Sequence, residues 1–189
     1  MNKASTTSKP GFQVKQLALT GLMSAVICIL APISFQIPVS PVPISLGFLG
    51  IYFVVSVAGM KIGTISVVIY ILLGLAGLPV FTGFTGGPGK LFGPTGGYIV
   101  GYLFMALICG YFIDRWGNRI LLTFAGMLIG TCVCYLFGTV WLAFQSSYTF
   151  PEALAAGVLP YIPFDLVKLV LAATLGRELR TRLKKADLL

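Results

Sequence analysis

Apolar residues dominate the chain in long runs, and the polar positions fall between those runs rather than alternating within them. A bilayer core needs roughly 20 mostly apolar residues per helix, so cutting the chain at charges and Gly/Pro clusters predicts its spans. Six segments result, at about 16–34, 44–60, 63–81, 96–114, 119–145 and 157–176. The expected architecture is an all-α polytopic membrane domain over residues 16–176. A segment 1–15 precedes it and a basic tail 177–189 follows. Six spans use most of the chain, leaving no room for an extramembrane domain. The polar stretch from Met1 to Lys15 is long for a signal-peptide n-region and the first run is long enough to span, so a retained helix is expected.

Composition sharpens this picture. Of 189 residues, 57% are hydrophobic and 10% charged, against about 25% charged in an ordinary soluble domain. The net charge of +8 would raise nucleic acid in a soluble protein, but here the cations flank apolar runs, so no nucleic-acid partner is expected. The two termini and the even loops hold Lys3, Lys9, Lys15, Lys61, Arg115, Arg119, Arg177, Arg180, Arg182, Lys184 and Lys185. The odd loops hold Lys90 alone. Because cytoplasmic loops carry the Lys/Arg excess, both termini are expected on the cytoplasmic side. The chain has no histidine, and its four cysteines lie in apolar stretches. That argues against zinc, haem and a disulfide framework, and no metal or cofactor is expected.

The odd loops are unusual. Residues 35–43 contain Pro38, Pro41 and Pro43 and cannot be helical throughout. Residues 79–97 contain seven glycines and three prolines, too apolar for a solvated linker and too broken for a helix. Such backbone at membrane depth survives where protein buries it or a cavity holds it. Both a mobile surface loop and a packed lid or cavity wall remain open. The run GFTGGPGKLFG lacks the first glycine and final Ser/Thr of a Walker A loop, so no nucleotide hydrolysis is expected.

Two charges fall inside the last run. Asp165 and Lys168, roughly 13 to 18 Å from its outer end at 1.5 Å per residue, share a helix face at i and i+3. Each ionised group inside a span costs on the order of 2.5 to 3.5 kcal/mol. Either an internal ion pair locks the packing, or the two form the polar floor of an outward-opening ligand cavity. Lys90 is a second candidate anion contact. Gly97 with Gly101 and Gly126 with Gly130 are small-xxx-small pairs suited to close helix packing. Ala18, Gly21, Leu22 and Ala25 give the first run a smooth small face on which a partner protein can dock. Trp141, Tyr98, Tyr148 and Tyr161 lie near outer span ends, as an aromatic belt or as stacking platforms for a flat ring.

The order QIPVSPVPIS, YILLGLAGLPVF, GGPGKLFGPTGGYIVGY and PFDLVKLVLA, spread over residues 17–175, resembles the BioY family, the biotin-specific S components of energy-coupling factor (ECF) transporters. The resemblance implies a multi-pass protein of the bacterial plasma membrane that captures biotin from outside. It implies delivery to a coupling module of one transmembrane protein and two cytoplasmic ATPases, with no catalysis by this chain. Carried over by position, Asp165 and Lys168 are the polar contacts of the last helix. Thr85 belongs with the outer-loop ligand candidates, and Gly93, Pro94, Thr95, Gly96, Gly97 and Tyr98 close over the vitamin. Gln36 precedes the proline loop. Asp165 is expected to accept the ureido N–H groups while a lysine meets the carboxylate. One departure stands out: Leu46-Gly47 replaces the Leu-Gln pair expected after residues 43–45. The competing readings are an S component for another vitamin, or a membrane enzyme using Asp165 as base.

Overall fold

The structure, a computed structural model, describes residues 14–38, 40–117 and 119–186. Lys3, Lys9 and the last three residues of the expected tail lie outside the described residues. The described residues form seven helices and one short ribbon: α1 (Val14–Leu30), β1 (Ser34–Phe35), β2 (Ile44–Ser45), α2 (Gly47–Leu75), α3 (Pro88–Leu91), α4 (Gly96–Trp116), α5 (Ile120–Ser146), α6 (Phe150–Gly157) and α7 (Ile162–Lys185). By length and composition α4 and α5 are each apolar enough to cross a membrane, as α2 would be if its 29 residues ran straight, and α6 with α7 forms a further such unit bent by 53°. Among the described residues, thirty-two large apolar side chains, such as Leu121, Phe144 and Leu175, are exposed on the helices and loops. This is the expected surface where lipid, not water, is the surrounding solvent.

The 29 residues of α2 are not one rod. Gly59 has φ +79° and ψ −172°, a region open essentially to glycine alone. A Cβ on Gly63 would lie 3.1 Å from the Cα of Val55, whereas residues eight apart in a straight helix are about 12 Å apart. The chain therefore reverses at Gly59, between the second and third apolar runs. The reversal is fixed by Asp114 of α4, whose carboxylate accepts the Met60 N–H at 2.9 Å and an Arg180 N–H from α7 at 2.6 Å.

The expected small-residue pairs draw α4 and α5 together. A Cβ on Gly97 would strike Trp141, one on Gly101 Cys134, one on Gly126 Phe112 and one on Gly130 Cys109. Backbones thus approach closely, which in lipid substitutes dispersion for a hydrophobic driving force.

Three features depart from the sequence expectation. The glycine-rich segment contains one helical turn, α3, begun by Pro88 after Gly87 at φ +86°, where fixed proline φ suits a helix start. Helix α6 occupies the stretch before the last span. Thr149 and Glu152 form a capping box there, with Pro151 in the first turn. The last helix begins at Ile162, with Pro163 in its first turn, and runs unbroken to Lys185. The Asp165–Lys168 pair consequently lies one to two turns from a helix start rather than mid-span, and residues 177–185 of the expected tail are helical.

The elements order the molecule into two poles. One gathers the β1–β2 ribbon, the proline loop, the glycine-rich segment, α3 and α6. The other gathers the Gly59 turn, the α4–α5 connection and the basic end of α7.

Candidate functional site

A small cavity of about 40 Å³ lies at the loop-bearing pole. Its wall is aromatic: Phe48 from α2, Tyr98 and Tyr102 from α4, Tyr135 from α5 and Tyr161 before α7, with Asp165 and Lys168 from α7. Phe48 packs edge-on against Tyr102 at 5.5 Å between ring centroids.

The charged pair is buried, with side chains 8% (Asp165) and 10% (Lys168) exposed, and Lys168 Nζ lies 2.7 Å from Asp165 Oδ1. Lys168 also donates to the Ser45 carbonyl at 2.7 Å, and Tyr135 donates its hydroxyl to Asp165 Oδ2 at 2.6 Å. An ammonium has three donors, so one N–H of Lys168 is left for a ligand. The first-turn position of Asp165 in α7 places its carboxylate at the positive end of the helix dipole. Ser45 reaches Lys168 because the ribbon pairs Ser34 with Ser45.

Above the pair, the loops are held by specific contacts. Tyr161 donates to Ser40 Oγ at 2.7 Å, Ser40 to the Ala156 carbonyl at 2.7 Å, and Tyr98 to the Gly157 carbonyl at 2.8 Å. The glycine-rich segment is tied at three points. Gly83 N–H bonds Pro32 O at 3.0 Å and Gly87 N–H bonds Gly74 O at 2.7 Å, while Trp141 Nε1 bonds Gly93 O at 2.9 Å. Phe81 is fully buried and meets Tyr70 edge-on at 5.5 Å. The segment is a packed cavity wall, to which Thr82 and Thr95 contribute. Thr95 Oγ1 is buried with no hydrogen-bond partner among the described residues, a free polar group beside the cavity.

Of the expected contact residues, the cavity gathers Asp165, Lys168, Thr95 and Tyr98. Gly96 and Gly97 adjoin it and serve close approach, to Leu91 and to Trp141 respectively. Lys90 lies in α3, half-buried, where desolvation lowers the pKa of its ammonium from the usual value; it is not among the lining residues. Gln36 is exposed and donates to the Ser40 carbonyl at 2.8 Å, and Thr85 is exposed and donates to the Thr82 carbonyl at 3.0 Å. At position 47 a Cβ would lie 3.2 Å from both Tyr102 Oη and Ser45 Oγ, so a larger side chain there would have to displace those wall groups. Tyr98 and Tyr161 point inward, Trp141 anchors the loop, and Tyr148 is exposed.

A sequence model of the BioY family matches residues 1–185. The chain belongs to the BioY family. Among its relatives is the biotin transporter BioY of Thermotoga maritima, 36% identical over 167 residues, which is 88% of this chain and 96% of that protein. The probable biotin transporter BioY of Pyrococcus horikoshii is 37% identical over 168 residues, covering 89% of this chain and 98% of that one. Among solved structures, a 2.1 Å crystal structure of the S-component for biotin from an ECF-type ABC transporter superposes with a TM-score of 0.84 at 33% identity. That match covers 93% of this chain and 95% of the other. The polytopic helical membrane fold expected from the apolar runs is thus the BioY fold.

Three aromatic cavity residues of this BioY-family chain escaped the sequence reading, Phe48, Tyr102 and Tyr135, whereas Tyr98 and Tyr161, expected as belt or stacking platforms, line the cavity. Only Asp165 carried a signal toward Tyr135, since a buried carboxylate requires donors. On the first helix, Ala18, Gly21, Leu22 and Ala25 are all exposed, while Thr20, Met23, Ser24 and Ile27 face inward. A Cβ on Gly21 would meet nothing within 4 Å.

Proposed function

We propose that the chain is a substrate-binding S component that captures biotin at the loop-bearing pole and delivers it to an ATP-driven coupling module. That module comprises a coupling transmembrane protein and two cytoplasmic ATPases. The observation that carries the site is the buried Asp165–Lys168 pair on the floor of an aromatic cavity. The six apolar runs are then six spans, with the Gly59 reversal separating the second from the third, and both termini face the cytoplasm as the cation distribution requires. The membrane-enzyme reading finds no support in relatives named as transporters.

The pair's geometry refines how biotin is held. Its ureido ring and its carboxylate lie at opposite ends of a pentanoic acid chain, whereas Nζ and Oδ1 are 2.7 Å apart. One end alone meets both groups. The ureido ring fits: an N–H donates to Asp165 and the carbonyl accepts from Lys168, while the aromatic wall covers the bicycle. The carboxylate then points toward the glycine-rich segment, where Thr95 Oγ1 and the Lys90 ammonium are the available partners. Gln36 and Thr85 complete the outer rim.

Ala18, Gly21, Leu22 and Ala25 form the docking face for the coupling protein, as a smooth exposed stripe with no internal packing role. The test is uptake of labelled biotin into vesicles. Uptake should require this chain, the coupling module and ATP together; uptake by this chain without the module contradicts the assignment.

A further inference from the structure

At the pole opposite the proposed biotin cavity, a cleft of about 610 Å³ opens between the ends of α4 and α7, faced by Asp114, Arg115, Arg177, Arg180, Lys184 and Lys185. Among the described residues, five cations thus face one carboxylate there. That carboxylate is already committed to Arg180 at 2.6 Å and to the Met60 N–H at 2.9 Å. Arg177, Arg180 and Lys184 follow one another at i, i+3 and i+7 on the same face of α7, so like charges are gathered rather than spread.

The cleft continues inward. A slot of about 20 Å³, room for little more than a single polar atom, shares Arg177 and Arg180 and is walled by Ser56, Ile113, Ile120 and Ala173. Ser56 is 3% exposed, and its Oγ and the Nη1 of Arg180 are buried without a hydrogen-bond partner among the described residues. Buried donors without acceptors are costly and mark a place for an acceptor from outside. The wall grades from cationic at the rim to apolar inside. Just above it, Leu175 is 55% exposed, so this is the level at which the surface of α7 turns from charged to apolar.

We propose that this cleft seats the phosphate of an anionic phospholipid from the adjoining leaflet. The rim cations and Arg180 hold the phosphate oxygens, one of which reaches the buried donors at the mouth of the slot, and the acyl chains lie along the apolar surface of α7 that begins at Leu175. A basic pocket between helix ends next to an apolar wall suits that amphipathic ligand better than free phosphate, which has no use for the wall.

The test uses the full chain purified in neutral detergent and offered equimolar phosphatidylglycerol and phosphatidylcholine, with bound lipid read by native mass spectrometry. The wild type should retain phosphatidylglycerol at least about tenfold over phosphatidylcholine. Arg115→Gln/Lys184→Gln/Lys185→Gln should lose that preference. Lys61→Gln/Arg119→Gln/Arg182→Gln, which removes as much charge outside the cleft, should keep it. Lys184→Gln/Lys185→Gln, confined to the exposed last turn, should show a partial loss if the triple variant does not fold. Equal loss in the cleft variant and its charge-matched control overturns the proposal, as does absence of preference in the wild type. Complete displacement of the lipid by millimolar inorganic phosphate overturns the lipid source. Loss of coupling-protein retention in the cleft variant with lipid preference unchanged identifies the cleft as a protein surface and overturns it too.

Discussion

Removing the Lys168 ammonium should separate the packing role of the ion pair from its role toward ligand. At 2.7 Å between Nζ and Oδ1, the attraction at an effective dielectric near 20 is about 6 kcal/mol. Desolvation of the two ions offsets much of this, at several kcal/mol per ion. The intact pair is therefore near neutral for stability, but a single buried charge left behind costs about 3 to 5 kcal/mol. Lys168→Met should lower the detergent melting point markedly and abolish biotin binding. Asp165→Asn/Lys168→Met removes both charges, and Tyr135 can still donate to the amide oxygen, so stability should return toward wild type. Binding should not return, because a charged hydrogen bond to the ligand is lost, worth roughly 2 to 5 kcal/mol, or more than tenfold in affinity. Thermal melts and equilibrium biotin binding on the three proteins decide the matter. A double variant that binds biotin within twofold of wild type would refute a ligand role for the pair and make it a packing lock.

Other expectations follow from single positions. Gly59→Ala should destabilise by at least about 2 kcal/mol, because its φ of +79° excludes a side chain and the new Cβ would fall 2.4 Å from Asp114 Oδ1; Gly21→Ala, in open space on α1, should be neutral or stabilising in the same melt. Gly21→Trp or Ala25→Trp should leave biotin binding by the isolated chain nearly intact yet abolish co-purification with the coupling module, and normal uptake by both variants would show the face to be merely lipid-exposed. Hydrogen exchange across residues 81–97 should slow on adding biotin, since ordering a segment with seven glycines needs ligand contacts to offset its entropy, and equal exchange in both states would count against closure over the ligand.

The apolar runs located the long helices and the break near Gly59, where the charge of Lys61 interrupts them. They also placed the two non-helical outer segments. They could not say which face of each helix looks inward. In water a polar stripe marks the outside, but against lipid Leu121 or Phe144 is as comfortable outside as Phe48 is within, so the cavity wall of Phe48, Tyr102 and Tyr135 left no periodic trace. Asp165 and Lys168 stood out because charge is the one property that both lipid and an apolar core reject. Helix α6 was readable in principle from the Thr149-x-x-Glu152 capping signature followed by an apolar run, but the same residues also read as a connecting loop before a proline-bearing span. The bend at 158–161 shifted the start of the last helix, and with it the place of the charged pair relative to the bundle's end. The family resemblance supplied what spacing alone did not, namely the chemistry of the ligand.

The most direct measurement is equilibrium binding of labelled biotin to the purified full chain, without any coupling protein, with other vitamins as competitors. Saturable binding near one biotin per chain, displaced by unlabelled biotin and not by riboflavin or thiamine, is the result expected. No saturable binding by the folded chain, or equal displacement by an unrelated vitamin, would contradict its assignment as a biotin S component.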